Sequence, residues 1–193
     1  MAKLKAGTKR WIVRLYKAGA GIDEIQQKIK EKTPKTPKIT KVSINAVIRK
    51  HLVNLADDLW ATAVKVKFGW KCAISNKTEN LEAHHLIRRG NYTHRWTVEN
   101  GICLNSGWHT LGSKISAHGA TDVTDRFRDW MRINQPEQWV WFEARRDDTS
   151  VKPDIAEMLE IVKKLEKETK NGYNLENKEL GVREKIRDES IED

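Results

Sequence analysis

A change of pattern at Gly69 constrains the fold of this chain more than any other feature. Before Gly69, apolar side chains recur at helical spacing, whereas residues 69–119 are rich in turn formers and leave room only for short strands. Helical spacing returns at Asp122. Helices on both sides of a short strand-containing stretch are typical of the α+β class, which we predict here.

The apolar periodicity places the helices and their ends. The predicted helices cover residues 8–17, 22–30, 43–52, 55–68, 122–142 and 155–165. Gly19 supplies a turn after the first helix, and the proline-containing run 33–38 ends the second. Ser43 is expected to be the N-cap of the third helix. Pro136 is expected to break the long helix after Asp122.

Five apolar side chains on the helical stretch after Asp122 are predicted to be core rather than a stacking platform. They are Phe127, Trp130, Met131, Trp139 and Trp141. Beyond the last predicted helix, the chain is expected to end in a charged tail without regular structure.

Basic residues are concentrated at the N-terminus. Residues 1–51 hold eleven Lys and three Arg against three acids, a net charge of +11 in a chain whose total is +9. Residues 151–193 carry a net charge of −3. A basic segment suits a polyanionic partner, because each Lys or Arg that neutralises a phosphate also releases condensed counterions. We therefore predict a nucleic acid partner, against the alternative of a solvated basic segment.

The helices of this basic segment resemble a helix-turn-helix DNA-binding module. The residues expected to reach DNA from its recognition helix are Ser43, Asn45, Arg49 and Lys50. Any small three-helix bundle has a similar pattern, so a bundle without DNA-binding function stays an open alternative.

The composition excludes several classes of protein. No stretch approaches the roughly 18 apolar residues that a membrane span needs, and the N-terminus lacks the apolar region of a secretory signal. Two cysteines, Cys72 and Cys103, are too few for a disulfide framework. We expect a cytoplasmic protein without a membrane partner.

Residue types suited to phosphodiester chemistry cluster in the turn-rich stretch. Five of the six histidines lie within residues 69–119. Neighbours in a strand face opposite sides, so one of His84 and His85 can bind a metal while the other faces a substrate. Arg88 and Arg89 follow directly, and guanidinium groups suit phosphate oxygens. This combination favours a phosphodiesterase site over a structural His site or core histidines.

The segment resembles the HNH endonuclease family, particularly its bacteriophage versions. His85, Asn100 and His109 match the family motif in order and approximate spacing, and residues 68–72 resemble the segment that leads into it. The resemblance covers about residues 59–143. It implies a ββα-metal (His-Me finger) core, in which a β-hairpin and a helix surround one divalent ion. In this chain, further helices would surround that core.

The resemblance also implies a role for each matched residue. His85 would be the general base that deprotonates water, and Asn100 would complete the catalytic motif by tying down the loop that orients His85. His84 and His109 would hold one divalent ion, either Mg²⁺, Mn²⁺, Zn²⁺ or Ni²⁺. The products would carry a 5′ phosphate and a 3′ hydroxyl. Independently of the resemblance, we expect three arginines near the motif to contact DNA, namely Arg88, Arg89 and Arg95.

The sequence departs from the family pattern in two respects, the third metal ligand and the cysteine pairs. His118 is a candidate third metal ligand, but in one continuous helix it would lie opposite His109, so it joins the site only if the chain breaks near Gly112. Many relatives bind a structural zinc through two Cys-x-x-Cys pairs, whereas here Ser75 and Ser106 replace half of the thiolates. We therefore expect no Cys₄ zinc and predict that the two cysteines are buried.

The predicted organisation has three parts, and the predicted function is that of a metal-dependent DNA endonuclease. The parts are a basic DNA-binding module (1–52), an HNH nuclease domain (53–150), and an amphipathic helix with a charged tail (151–193). The helix near the C-terminus could support a homodimer. Two alternatives stay open: a non-catalytic DNA-binding regulator, and a nuclease specialised for branched or nicked DNA in phage recombination or packaging.

Overall fold

The described part of the chain is mostly helical, with a small antiparallel sheet of two strands, which confirms the α+β class. A computed structural model describes residues 4–33, 39–110, 115–118 and 120–170. The elements in chain order are α1 (Ala6–Lys17), α2 (Ile22–Lys32), α3 (Lys41–Lys67), β1 (Leu81–His85), β2 (Gly101–Asn105), α4 (Ser106–His109), α5 (Thr121–Asn134), α6 (Pro136–Glu143) and α7 (residues 155–170).

The chain forms two compact units. The first draws its described residues from 1–56 and 154–162, and the second draws them from 57–153 and 163–193. Helix α3 continues from one unit into the other, so the predicted boundary after residue 52 falls inside a helix. None of the helices that the structure describes is long and apolar enough to cross a membrane.

In the first unit, α1 and α2 form as predicted and are joined by a glycine turn. Gly19 has a φ of 87°, which lets the Ala20 N–H bond to the Leu15 carbonyl at 3.1 Å and end α1. The apolar faces of α1, α2 and α3 supply a core of isoleucines, each no more than 2% exposed. They are Ile12, Ile25, Ile29, Ile44 and Ile48.

Helix α3 corrects two predictions. It is one continuous helix of 27 residues, whereas the sequence pattern predicted two helices with a break near Leu52. It also begins two residues before Ser43, because Thr40 is the N-cap: its Oγ1 accepts from the Ser43 N–H at 3.2 Å. The helix ends at Lys67, and the φ of 57° at Gly69 lets the chain turn so that the Trp70 N–H donates to the Lys65 carbonyl at 2.8 Å.

The second unit is built around the two-stranded sheet. Strands β1 and β2 pair antiparallel, with His84 opposite Ile102 and His85 opposite Gly101. Helices α5 and α6 are separated at Pro136, as predicted. The buried cluster beneath them contains Cys72, Ile102, Leu104, Phe127 and Met131.

The predicted aromatic core is confirmed in part. Phe127 and Met131 are buried, and Trp130 and Trp139 are partly buried against them. Trp141 is half-buried, and its ring lies edge-on to His94 instead.

Three predictions fall on residues outside the described part of the chain. They are most of the helix break at 33–38, the chain break at Gly112, and the charged tail beyond residue 170.

Gly101 allows α3 to approach the sheet closely. A Cβ built on Gly101 would lie 2.1 Å from Cγ2 of Val64 and 2.9 Å from Cζ2 of Trp60, which is less than two carbon atoms tolerate. Its φ of −114° is open to any residue, so the requirement for glycine is steric. The missing side chain thus brings Trp60 against β2, directly opposite His85 on β1.

We expect Gly101→Ala to lower the free energy of unfolding by about 1–3 kcal/mol, because the added methyl group must displace Val64 and Trp60. Gly90→Ala is the matched control, since nothing lies within 4 Å of a Cβ at that position. Urea denaturation measures both. Equal stability of the two variants would show that α3 can move away from the sheet at little cost.

Candidate metal centre

Three histidines from separate parts of the second unit meet at one place. His84 lies on β1, His109 at the end of α4, and His118 in the segment that follows. The ring centroids are 5.1 Å apart for His84 and His109, 4.8 Å for His84 and His118, and 4.9 Å for His109 and His118. One nitrogen from each ring lies within 4.8 Å of the others, so the three can converge on one metal ion with small side-chain rotations.

His118 joins the cluster because residues 116–118 are hydrogen-bonded to the end of α4. The helix ends at His109, and the His118 N–H then donates to the His109 carbonyl at 3.1 Å. The Ser116 hydroxyl donates to the same carbonyl at 2.9 Å, and the Ala117 N–H donates to the Trp108 carbonyl at 3.1 Å. The obstacle that a continuous helix would pose to His118 is therefore absent.

Two of the three imidazoles have lowered pKa values. Burial, together with the neighbouring His109 and His118, lowers the pKa of His84 to about 3. Burial also lowers the pKa of His118. His84 is therefore neutral at neutral pH, and a neutral imidazole nitrogen is the form that binds a metal.

Glu82 orients His109. The two residues are joined by a hydrogen bond between the Glu82 carboxylate and Nδ1 of His109. A carboxylate on one ring nitrogen fixes the tautomer and leaves Nε2 for a metal, which is the usual arrangement behind ligating histidines. Glu82 and His84 are two residues apart on β1 and so share one face of the strand.

His85 lies on the opposite face of β1 from His84. Its ring stacks on Trp60 of α3, with the centroids 3.6 Å apart and the planes inclined by 15°. Its Nε2 lies 2.9 Å from the Arg95 carbonyl. A carbonyl can only accept, so Nε2 carries the proton and Nδ1 carries the free lone pair. Burial lowers the pKa of His85 to about 4, which keeps the ring neutral at neutral pH.

Asn100 holds the loop between the strands. Its side chain is completely buried and accepts from the Ile87 N–H at 2.6 Å, while its Nδ2 donates to the carbonyls of Ile87 and His94 at 3.1 and 3.0 Å. The Asn100 carbonyl also accepts from the Leu86 N–H at 2.9 Å. The Asn100 side chain therefore contacts the loop and does not line the cleft beside the histidines.

Asp57 of α3 holds the same loop from outside. Its carboxylate accepts two bonds from Arg95, at 2.9 and 2.8 Å, one from Trp96 at 2.9 Å and one from Arg89 at 2.5 Å. Arg95 is only 8% exposed and its guanidinium supports the loop through Asp57, so its contact with DNA stays a prediction. Arg89 keeps 62% of its side chain exposed.

The three-histidine cluster opens into a cleft of about 580 Å³. His85, Arg88 and Arg89 line the cleft together with the cluster. Arg88 is exposed and, within the part of the chain that the structure describes, forms no ion pair. The cleft thus combines candidate metal ligands, a neutral imidazole and an unpaired guanidinium.

The residues predicted to reach DNA from the first unit lie on two different faces of α3. Ser43 and Lys50 line a groove of about 620 Å³ together with Lys9 and Arg10 of α1. Asn45 and Arg49 lie outside the lining of that groove and are half-buried, and the side-chain oxygen of Asn45 is buried.

Both cysteines are free and completely buried, as predicted. Burial raises the pKa of Cys103 to about 11, so its thiol is protonated at neutral pH. Cys72 belongs to the core cluster of the second unit.

No protein-family model, curated protein or solved structure matches this chain.

Three residues that shape the site were not singled out from the sequence. Glu82 carried a usable signal, because a carboxylate two residues before a strand histidine shares its face. Asp57 and Trp60 carried no such signal, because they contact the loop and His85 across more than 20 residues of sequence.

We expect Zn²⁺ or Ni²⁺ to raise the melting temperature by about 5–10 °C when its free concentration is about 100 times its dissociation constant. His84→Ala should abolish the increase, and Glu82→Gln should weaken binding by about 10- to 100-fold. Calorimetric titration measures the affinity. His94→Ala is the control, because His94 pairs with Asp148 and lies outside the cluster. Unchanged binding by His84→Ala would exclude this cluster as the metal site.

We expect Asp57→Asn to lower the free energy of unfolding at pH 7 by about 2–3 kcal/mol, since charged hydrogen bonds are lost. Burial alone would raise the pKa of Asp57, but bonds from Arg95, Arg89 and Trp96 together hold it below its usual value. The ionised carboxylate therefore stabilises the fold above the ordinary carboxyl pKa of about 3.9, and that stabilisation is lost as the pH falls through the lowered pKa.

Urea denaturation at several pH values checks this expectation. The difference in stability between the wild type and Asp57→Asn should shrink as the pH falls from 5 towards about 3. A difference that stays constant over this range would show that the carboxylate charge does not contribute.

Proposed function

We propose that this protein is a metal-dependent DNA endonuclease of the HNH type, with a ββα-metal core formed by β1, β2 and α4. The observation that carries the proposal is the division of two adjacent histidines between opposite faces of one strand. His84 belongs to the candidate ligand set, whereas the neutral His85 lines the same cleft. The sequence order of His85, Asn100 and His109, which resembles the HNH motif, supports the same proposal.

The donor set fits a divalent transition metal. Three imidazole nitrogens suit Zn²⁺ or Ni²⁺ better than Mg²⁺, which prefers oxygen ligands. His84, His109 and His118 would hold the ion. When bound, it would supply positive charge against the scissile phosphate and the leaving 3′ oxygen.

His85 is the proposed general base. Its Nδ1 has the free lone pair, because Nε2 donates to the Arg95 carbonyl. Nδ1 would accept a proton from water as the water oxygen forms a bond to phosphorus. The bond between phosphorus and the 3′ oxygen then breaks, which leaves a 5′ phosphate and, after protonation by solvent, a 3′ hydroxyl.

Positioning residues support this role. The loop closed by Asn100 and held by Asp57 fixes the Arg95 carbonyl, and Trp60 fixes the plane of the His85 ring. Arg88 is the proposed contact to phosphate oxygens in the cleft. In the first unit, the basic groove that includes Lys9, Arg10 and Lys50 is proposed to bind the DNA backbone.

We expect the protein to nick or linearise supercoiled plasmid with Zn²⁺, Ni²⁺ or Mn²⁺, and EDTA should stop the reaction. His85→Ala should lower the cleavage rate by about 10²- to 10⁴-fold, the usual contribution of a general base. His94→Ala, which replaces a histidine that does not line the cleft, should cut at the wild-type rate.

Fluorescence anisotropy with labelled DNA separates cleavage from binding. His85→Ala should bind DNA as tightly as the wild type does. If the wild type binds DNA but cuts neither plasmid, junctions nor single strands with any of these ions, the nuclease is excluded and the chain is a DNA-binding regulator.

A further inference from the structure

The cleft beside the histidine cluster has a second wall that phosphodiester hydrolysis does not require. Four apolar side chains line this wall: Phe127, Met131, Trp139 and Phe142. Phe127 and Met131 are buried and form its floor, whereas Trp139 and Phe142 of α6 keep part of their surface exposed. A phosphate gains nothing from apolar contacts, so this wall suits another part of the substrate.

The sequence of α6 explains why these rings are not fully buried. Residues 139–142 are four consecutive apolar residues in a helix of only eight residues. They point to different sides of the helix, so the core cannot cover all of them. Trp141 lies against His94, while Trp139 and Phe142, three residues apart, share the cleft side. Their ring centroids are 5.2 Å apart, at an interplanar angle of 42°.

Cations lie in the same cleft as the aromatic wall. Arg128 of α5 and Arg88 both line it. The ion pair between Arg128 and Asp125 is exposed, with 63% and 54% of the side chains accessible, and exposed pairs of this kind are easily exchanged. Aromatic rings interleaved with arginines form a typical surface for a single nucleic acid strand.

We propose that Trp139 and Phe142 bind an unpaired nucleobase next to the phosphate that is cut, which makes DNA with unpaired nucleotides the substrate class of this site. The proposal rests on the proposed nuclease function. In a duplex, both faces of each base are covered by neighbouring bases, so an aromatic wall in a cleft has no ring face to contact. An unpaired base can turn out of the strand and lay its face on Trp139 or Phe142.

The test compares three labelled DNAs of equal length by fluorescence anisotropy in EDTA, where no cleavage occurs. One is fully paired, one has a short unpaired stretch, and the third has the same stretch with abasic nucleotides. The abasic strand keeps every phosphate, so it controls for all basic residues of the chain. We expect the wild type to bind the unpaired stretch about 5- to 100-fold more tightly than its abasic counterpart.

Trp139→Leu and Phe142→Leu should each lose most of this preference for bases, whereas Trp141→Leu should retain it. Trp141 is the matched control, because it lies on the same helix but does not line the cleft. Near-ultraviolet circular dichroism checks the fold of each variant. If Trp139→Leu fails to fold, the binding of base-containing and abasic DNA by the wild type still tests whether the protein contacts unpaired bases.

Equal binding of base-containing and abasic DNA by the wild type would overturn the proposal, and so would an equal loss in Trp141→Leu. Neither outcome affects the nuclease proposal, because plasmid cleavage and its dependence on His85 are measured separately. Conversely, if binding depends on bases but no DNA is cleaved, the proposal that the wall binds bases stands and the nuclease is excluded.

Discussion

The buried side chain of Asn100 accepts from one backbone N–H and donates to two carbonyls, and these bonds fix the path of residues 86–100. In a loop of this length without regular strands, many backbone N–H and C=O groups lack partners from secondary structure. A buried side-chain amide that binds three of these groups keeps the loop in one conformation. The position of the Arg95 carbonyl, and with it the proton on His85, depends on that conformation. The most buried residue of the loop therefore holds the hydrogen-bond partner of His85 in place.

Helix α3 supplies the second constraint, because two of its side chains hold the loop and the histidine. Asp57 binds Arg95 and Trp96, and one turn later Trp60 stacks on His85 and donates to the Thr97 carbonyl at 2.9 Å. Both contacts require α3 to lie close to the sheet, which the absence of a side chain at Gly101 permits. On the other face of β1, the His84 ring lies edge-on to His109 and His118.

Local patterns in the sequence predicted the features that depend on neighbouring residues. The glycine turn after α1 and the break at Pro136 follow from backbone restrictions of single residues, and both are confirmed. The continuity of α3 was missed because its buried stripe passes through Ala56, which is too small to mark a core position in a sequence. All three histidines of the cluster were named from the sequence, but the approach of His118 depends on hydrogen bonds to the end of α4 that no local pattern encodes. The roles of Asp57 and Trp60 arise from tertiary packing, which no local pattern encodes.

The three imidazoles of the cluster carry no negative charge. An ion bound by carboxylates is largely neutralised by its own ligands, whereas an ion held by His84, His109 and His118 would keep both of its positive charges. Glu82 reaches the cluster only through His109 and would offset this charge from a distance. Such an ion attracts anions of any kind, so small anions such as inorganic phosphate would compete with a nucleic acid strand for the same position.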